Sequence, residues 1–79
     1  MVSTLEIVNP VDPSIYTMVS VWVEPGKFFH IVDIDGTWLA KVTIGNDALF
    51  RVMQYVEEND LKVDEVSIAQ FPELEQFGE

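Results

Sequence analysis

Residues 27–45 read KFFHIVDIDGTWLAKVTIG, two runs of β-branched and aromatic residues on either side of the pair Asp35-Gly36. An Asp-Gly pair between alternating apolar residues is a strong short-range signal for a β-hairpin, because glycine tolerates the positive φ that a tight turn needs. A two-residue turn there fixes which side chains lie opposite one another. The expected pairs are Asp33 with Trp38, Ile31 with Ala40, and Phe29 with Val42.

A second turn is indicated at Pro25-Gly26, since proline presets one turn residue and glycine accepts the next. The two turns divide this part of the chain into three strands, which form an antiparallel meander. The strands are expected at about 15–24, 27–35 and 37–45.

An even-numbered loop at Pro25-Gly26 decides which side chains share a face of the sheet. It places Trp22 opposite Phe29 and, two residues away, Ser20 opposite Ile31. Because side chains alternate between faces, one face then collects a large apolar set that we expect to be the core. This set is Tyr16, Met18, Trp22, Phe29, Ile31, Trp38, Ala40, Val42 and Ile44.

The other face of the expected sheet is less polar than a solvated face usually is. It carries Val19, Val21, Val23, Phe28, Val32, Ile34 and Leu39. The N-terminal segment, the C-terminal tail, a second copy of the chain or a partner protein could cover it, since large exposed apolar patches mark interaction sites. The candidate oligomer or partner face consists of Val21, Phe28, Val32 and Leu39.

The rest of the chain adds a helix and a further strand. Apolar residues at three- and four-residue spacing predict an amphipathic helix over 47–58, with Asn46 as its cap. Residues 63–71 predict a fourth strand that ends at Pro72, and residues 5–8 a short strand near the start. The expected fold is a single α+β domain over 1–79. It has an antiparallel sheet of four to five strands with one helix on one face, in the order (β)βββαβ.

Composition excludes several kinds of site. The 79 residues include no cysteine and one histidine, so disulfides, thiolate metal sites and multi-histidine metal sites are ruled out, and no cofactor is expected. The net charge of −10 argues against direct binding to nucleic acid or anionic membranes, which carry the same sign of charge. The first residues contain no basic targeting segment, and no apolar run is long enough to span a membrane, so a cytoplasmic protein is expected.

The string Ile31-Val32-Asp33-Ile34-Asp35-Gly36-Thr37 resembles the first motif of the haloacid dehalogenase-like phosphatases, an apolar strand ending in Asp-x-Asp-Gly-Thr. The resemblance implies Asp33 as nucleophile, Asp35 as acid/base and magnesium on the phosphate. It covers about seven residues, and that family uses a much longer domain with a downstream lysine. A strand follows Thr37 at once, so no helix N-terminus is available to hold a phosphate. We therefore expect a hairpin turn here and keep the phosphatase-like enzyme as an alternative.

Charge is concentrated in the last part of the chain. Residues 57–79 contain eight acids against one lysine, a net charge of −7. One interpretation is a solvated surface that keeps a small β-rich protein in solution. The other is a negative surface that imitates the phosphates of DNA and binds a basic protein. The candidate partner-binding residues are Glu57, Glu58, Asp60, Asp64, Glu65, Glu73 and Glu75, and residues 72–79 form an acidic tail.

In size, charge and lack of cysteine, the chain is similar in type to the inhibitors that phages and mobile elements direct against DNA-binding host enzymes, such as anti-CRISPR proteins and other DNA mimics. That similarity implies a non-enzymatic inhibitor that binds a basic, nucleic-acid-binding surface of another protein. A homo-oligomeric structural domain that uses the apolar outer face of the sheet is the alternative from another class.

Overall fold

The computed structural model describes residues 3–11 and 18–77 of the chain. The first two residues of the chain, Tyr16 and the beginning of the expected strand 15–24 lie outside the described residues. The elements are β1 (Leu5–Ile7), β2 (Met18–Glu24), β3 (Phe28–Asp33), β4 (Trp38–Thr43), α1 (Ala48–Glu58), β5 (Lys62–Val63), α2 (Glu65–Gln70) and a terminal 3₁₀ helix (Pro72–Phe77).

The five strands form one sheet in the order β1-β4-β3-β2-β5. All neighbouring strands are antiparallel except β2 and β5, which are parallel. The α+β class and the main helix after the meander are therefore confirmed. None of the helices in the described part of the chain is long and apolar enough to cross a membrane.

The β3–β4 hairpin has the expected register over most of its length, with Phe29 opposite Val42 and Ile31 opposite Ala40. A bulge follows, so that Val32 rather than Asp33 lies opposite Trp38, and Leu39 is the extra residue. A bulge re-aims the side chains beside it. As a result Leu39 is buried, and Trp38, expected in the core, is 48% exposed.

The β2–β3 register differs from the expected one by a single residue. The loop contains three residues, Pro25 to Lys27, and is closed by the Lys27 N–H, which donates to the Glu24 carbonyl at 3.0 Å, with Gly26 at a φ of 77°. Val21 therefore lies opposite Ile31, and Trp22 lies opposite His30. Because a one-residue slip moves every side chain of a strand to the other face, the predicted core placement of Trp22 was wrong.

The core lies between one face of the sheet and α1. The apolar side of the helix packs on the valines and isoleucine of the central strands. Leu61, Val63 and Leu74, which follow α1 in the chain, complete the core. Burial of this set is the main favourable contribution to folding. The buried cluster comprises Val19, Val21, Phe29, Ile31, Leu39, Ala40, Val42, Ala48, Val52, Met53, Tyr55, Val56, Leu61, Val63 and Leu74.

The helix α1 agrees with the prediction to within one residue, but its start is built differently. Asp47, and not Asn46, occupies the N-cap position, and its side chain does not cap the helix. Its carboxylate instead accepts the Ser3 N–H at 2.9 Å and lies 3.6 Å from Arg51 Nε. Asp47 thereby ties the start of the chain to the helix.

The predicted fourth strand over 63–71 was wrong in most of its length. Only Lys62–Val63 is a strand, and α2 begins at Glu65. The cause is Asp64, whose carboxylate accepts the Ser67 N–H at 2.9 Å and so caps the helix. The acidic tail beyond it forms the 3₁₀ helix, and Leu74 is buried against the core.

Candidate functional site

The acidic residues from Glu57 onward are carried by the last turn of α1 and by the short elements that follow it and pack against one another. Glu57 and Glu58 occupy the last turn of α1, and Asp60 follows in a turn with a φ of 52°. Asp64 and Glu65 start α2. We call this surface the acidic end; it comprises Glu57, Glu58, Asp60, Asp64, Glu65 and Glu73. The predicted residue Glu75 belongs to the 3₁₀ helix, and its side chain lies outside the described part of the chain.

A groove of about 800 Å³ lies within the acidic end. Its floor is apolar, because the last turn of α1, the strand β5 and the buried side chain of Leu74 contribute to it. Its rim is polar and includes Lys62, Asp64 and Glu65. The full lining is Met18, Val56, Leu61, Lys62, Val63, Asp64, Glu65, Ile68, Ala69 and Leu74.

Most basic side chains of the protein are paired with acids away from this end. Lys27 lies 3.6 Å from Glu24, Lys41 lies 3.7 Å from Glu6, and Arg51 lies 3.6 Å from Asp47. Exposed pairs of this kind add little to stability, but they neutralise the surface around them. The exposed carboxylates of the acidic end have no ion-pair partner among the described residues. At the acidic end Lys62 is the one basic side chain beside six acidic residues, so this surface carries a strong excess of negative charge.

Asp64 differs from its neighbours because the fold uses its carboxylate. It accepts hydrogen bonds from the Ser20 hydroxyl and from the Ser67 N–H. Burial by itself raises the pKa of Asp64, but these hydrogen bonds outweigh it and hold the pKa below its ordinary value. Asp64 is thus a structural member of the acidic end, whereas Glu57, Glu58, Glu65 and Glu73 are exposed.

The four residues predicted to share an apolar partner face are divided between the two sides of the sheet. Val21 and Leu39 are each 3% exposed and belong to the core beneath α1. Phe28 and Val32 point to the opposite side. The predicted grouping was wrong for the reasons given above, the three-residue loop before β3 and the bulge in β4.

The side of the sheet away from α1 carries aromatic residues that the predicted register had placed in the core. We call it the outer sheet face; it comprises Trp22, Phe28, His30, Val32, Trp38 and Lys41, with Ser20, Glu6 and Glu24. A three-residue loop at Pro25 to Lys27 would have placed Trp22 on this face, but the position of Trp38 follows from the bulge in β4.

Side-chain contacts hold the outer sheet face together. The His30 and Trp38 rings meet edge to face with centroids 4.8 Å apart, and Lys41 Nζ lies 4.7 Å from the centre of the Phe28 ring. His30 Nε2 lies 2.9 Å from Glu24 Oε1, and this hydrogen bond holds the pKa of Glu24 below its ordinary value. The face is therefore an ordered surface of aromatic rings and paired charges.

Of the residues of the phosphatase-like string, Asp33 is the last residue of β3 and Asp35 lies in the β3–β4 turn. One Asp33 carboxylate oxygen accepts the N–H of Asp35 at 2.9 Å and the N–H of Thr37 at 3.0 Å. A side chain that bonds backbone groups two and four residues later is a common way to order a turn. Among the described residues, no group of three or more histidine, aspartate or glutamate side chains is arranged to hold a metal ion.

Comparisons of this chain with protein-family models, with curated proteins and with solved structures find no match.

Proposed function

We propose that this protein is a non-enzymatic inhibitor that binds the basic, nucleic-acid-binding surface of another protein through its acidic end. The observation that carries the proposal is the excess of negative charge at the acidic end. Three of the four basic side chains are paired with acids elsewhere, while five exposed carboxylates there have no ion-pair partner among the described residues. A surface of this kind attracts a basic partner over several ångströms and raises the rate of encounter.

The carboxylates act in place of phosphates. Duplex DNA carries one negative charge per ~1.7 Å of its axis, and a protein that binds DNA presents lysine and arginine to that row. Glu57 and Glu58 at the end of α1, with Glu65 and Glu73 beyond the turn, offer exposed carboxylates on consecutive short elements. Occupation of the basic surface by these carboxylates excludes DNA from it.

The groove adds a contribution that phosphates cannot make. Its apolar floor, formed by residues such as Val56 and Leu61, accepts an apolar side chain or the aliphatic stem of a lysine or arginine whose charged end meets the rim. Burial of that stem is insensitive to salt, whereas the carboxylate contacts weaken as salt screens them over ~8–10 Å. The proposal therefore predicts binding that salt weakens strongly but does not remove completely.

The test is release of DNA-binding proteins from immobilised duplex DNA. Proteins of a cell lysate are bound to a DNA resin, and the purified chain is added in solution at low salt. We expect it to release a defined subset of them. The variant with Glu57→Gln, Glu58→Gln and Glu65→Gln should release none, because its acidic end has lost three carboxylates.

The control variant carries Glu6→Gln, Glu24→Gln and Asp35→Asn. It changes the net charge by the same amount, from −10 to −7, but leaves the acidic end intact. It should release the same subset as the unmodified chain. Equal release by both triple variants would show that the acidic end has no special role and would contradict the proposal, as would release of nothing by the unmodified chain.

A further inference from the structure

We propose that the outer sheet face is the contact surface between two copies of this chain, which form a weak, reversible dimer. This inference rests on residues other than those of the acidic end. Trp22 is 61% exposed and Trp38 is 48% exposed, and no described helix or strand covers them. His30 and Val32 lie between them on the same face, with Phe28 next to His30, and Val32 is itself buried beneath its neighbours.

The apolar character of this face favours a protein contact. Tryptophan loses more exposed apolar area on contact than most side chains, and it is enriched among the residues that dominate interfaces. The order of the rings matters as well, because His30 and Trp38 are already packed edge to face and lose little freedom on binding. The face can therefore bind a flat partner surface with little loss of side-chain conformational entropy.

The distribution of charge indicates that this partner is a second copy. Two molecules of net charge −10 repel each other, so contact between copies is least unfavourable where the local charge is close to zero. On the outer sheet face Glu6 is paired with Lys41, and Glu24 with Lys27. A basic protein is drawn to the acidic end instead, whereas two copies can bring these neutral faces together while their acidic ends stay apart.

The size of the face limits the strength of the dimer. The three central strands have six or seven residues each and the two edge strands only three and two, so the face spans at most roughly 20 by 20 Å at ~3.3 Å per residue and ~4.8 Å between strands. About 400 Å² per copy is half of the ~800 Å² that each partner of a standard interface contributes. We therefore expect an equilibrium between monomer and dimer rather than an obligate dimer.

Tryptophan fluorescence reports on this contact, because both tryptophans of the chain lie on the outer sheet face. Sedimentation velocity and tryptophan emission are measured from about 10 µM to about 1 mM, the range in which a small interface associates. The expected result is a rise in sedimentation coefficient together with a blue shift of the emission. Added salt should strengthen the dimer by screening the repulsion, which is the opposite of its effect on binding a basic partner.

Two matched pairs of variants locate the contact. Trp22→Ser should weaken the dimer by at least about tenfold, whereas Phe50→Ser, at a position on α1 that is 59% exposed, should leave it unchanged. Lys41→Glu should dissociate the dimer by making the face negative. Lys62→Glu, with the same net charge, should have a much smaller effect because Lys62 lies at the acidic end.

A chain that is monomeric at about 1 mM in high salt, with unchanged tryptophan emission, would overturn the inference. So would equal effects of Trp22→Ser and Phe50→Ser, since the contact would then lie elsewhere. Circular dichroism of each variant establishes that it is folded. None of these outcomes bears on the release of proteins from DNA, which depends on Glu57, Glu58 and Glu65.

Discussion

Ser67 closes the edge of β2, and its replacement by alanine gives a clear prediction. The Ser67 hydroxyl oxygen accepts the Val21 N–H at 2.8 Å, and both residues are buried. The strand β5 pairs with β2 only at Met18 and Val19, so the Val21 N–H depends on this side chain. In Ser67→Ala the N–H remains buried without its partner.

The expected cost follows from the two effects of the substitution. A buried donor left without a partner costs about 1–3 kcal/mol. Alanine has a higher helix propensity than serine, and this offsets up to about 0.5 kcal/mol of that cost in α2. The net loss of unfolding free energy is therefore about 1–2 kcal/mol, which lowers the Tm of a domain of this size by roughly 5–15 °C.

Thermal and urea unfolding measure this loss, and hydrogen exchange of the Val21 amide locates it. Gln70→Ala is the control, because Gln70 is an exposed residue of the same helix and its replacement should change stability by less than about 0.5 kcal/mol. If Ser67→Ala is as stable as Gln70→Ala, or if the Val21 amide keeps its protection, the hydroxyl does not hold the strand edge and the reasoning fails.

Asp64→Ala should cost about 1 kcal/mol through loss of the α2 cap, whereas Asp64→Asn should retain most of it; equal urea midpoints for the two variants would contradict this. Because the pKa of Asp64 is lowered in the fold, its contribution is present above the unfolded-state pKa near 3.8 and is lost as the pH falls through the folded value. The advantage of the unmodified chain over Asp64→Asn should therefore shrink on titration below about pH 4, as unfolding curves at several pH values would reveal. Gly36→Ala should destabilise by about 1–2 kcal/mol, because Gly36 has a φ of 89° although a Cβ there would meet nothing within 4 Å, and an unchanged Tm would refute this.

The sequence predicted the elements of this fold better than the faces of the sheet. Asp35-Gly36 identified the hairpin because the turn chemistry is local, and the apolar spacing of α1 fixed the helix. The register of β2 depends on whether the Pro25-Gly26 loop contains two, three or four residues, and β-branched residues on both sides of the strand fit either face. For that reason the sequence placed Trp22 on the wrong face of the sheet.

The acidic end was predictable as a run of charge but not as a surface. Residues 63–71 alternate like a strand, and only the cap formed by Asp64 reveals that a helix begins there. The bond between Ser67 and Val21 spans 46 residues and has no local signature. The groove depends on how β5, α2 and the 3₁₀ helix meet, so the sequence offered no direct signal for it.

The covering of the β2 edge by β5 and Ser67 also affects the tendency of the protein to aggregate. The strand reads MVSVWVE, a β-branched and nearly uncharged segment of the kind that templates intermolecular sheet growth when its edge is free. Detachment of the short elements after α1 would uncover that edge while the hairpins remain folded. We therefore expect local opening of α2 to start aggregation in concentrated solution, so stabilising that helix should protect the protein by keeping the edge covered.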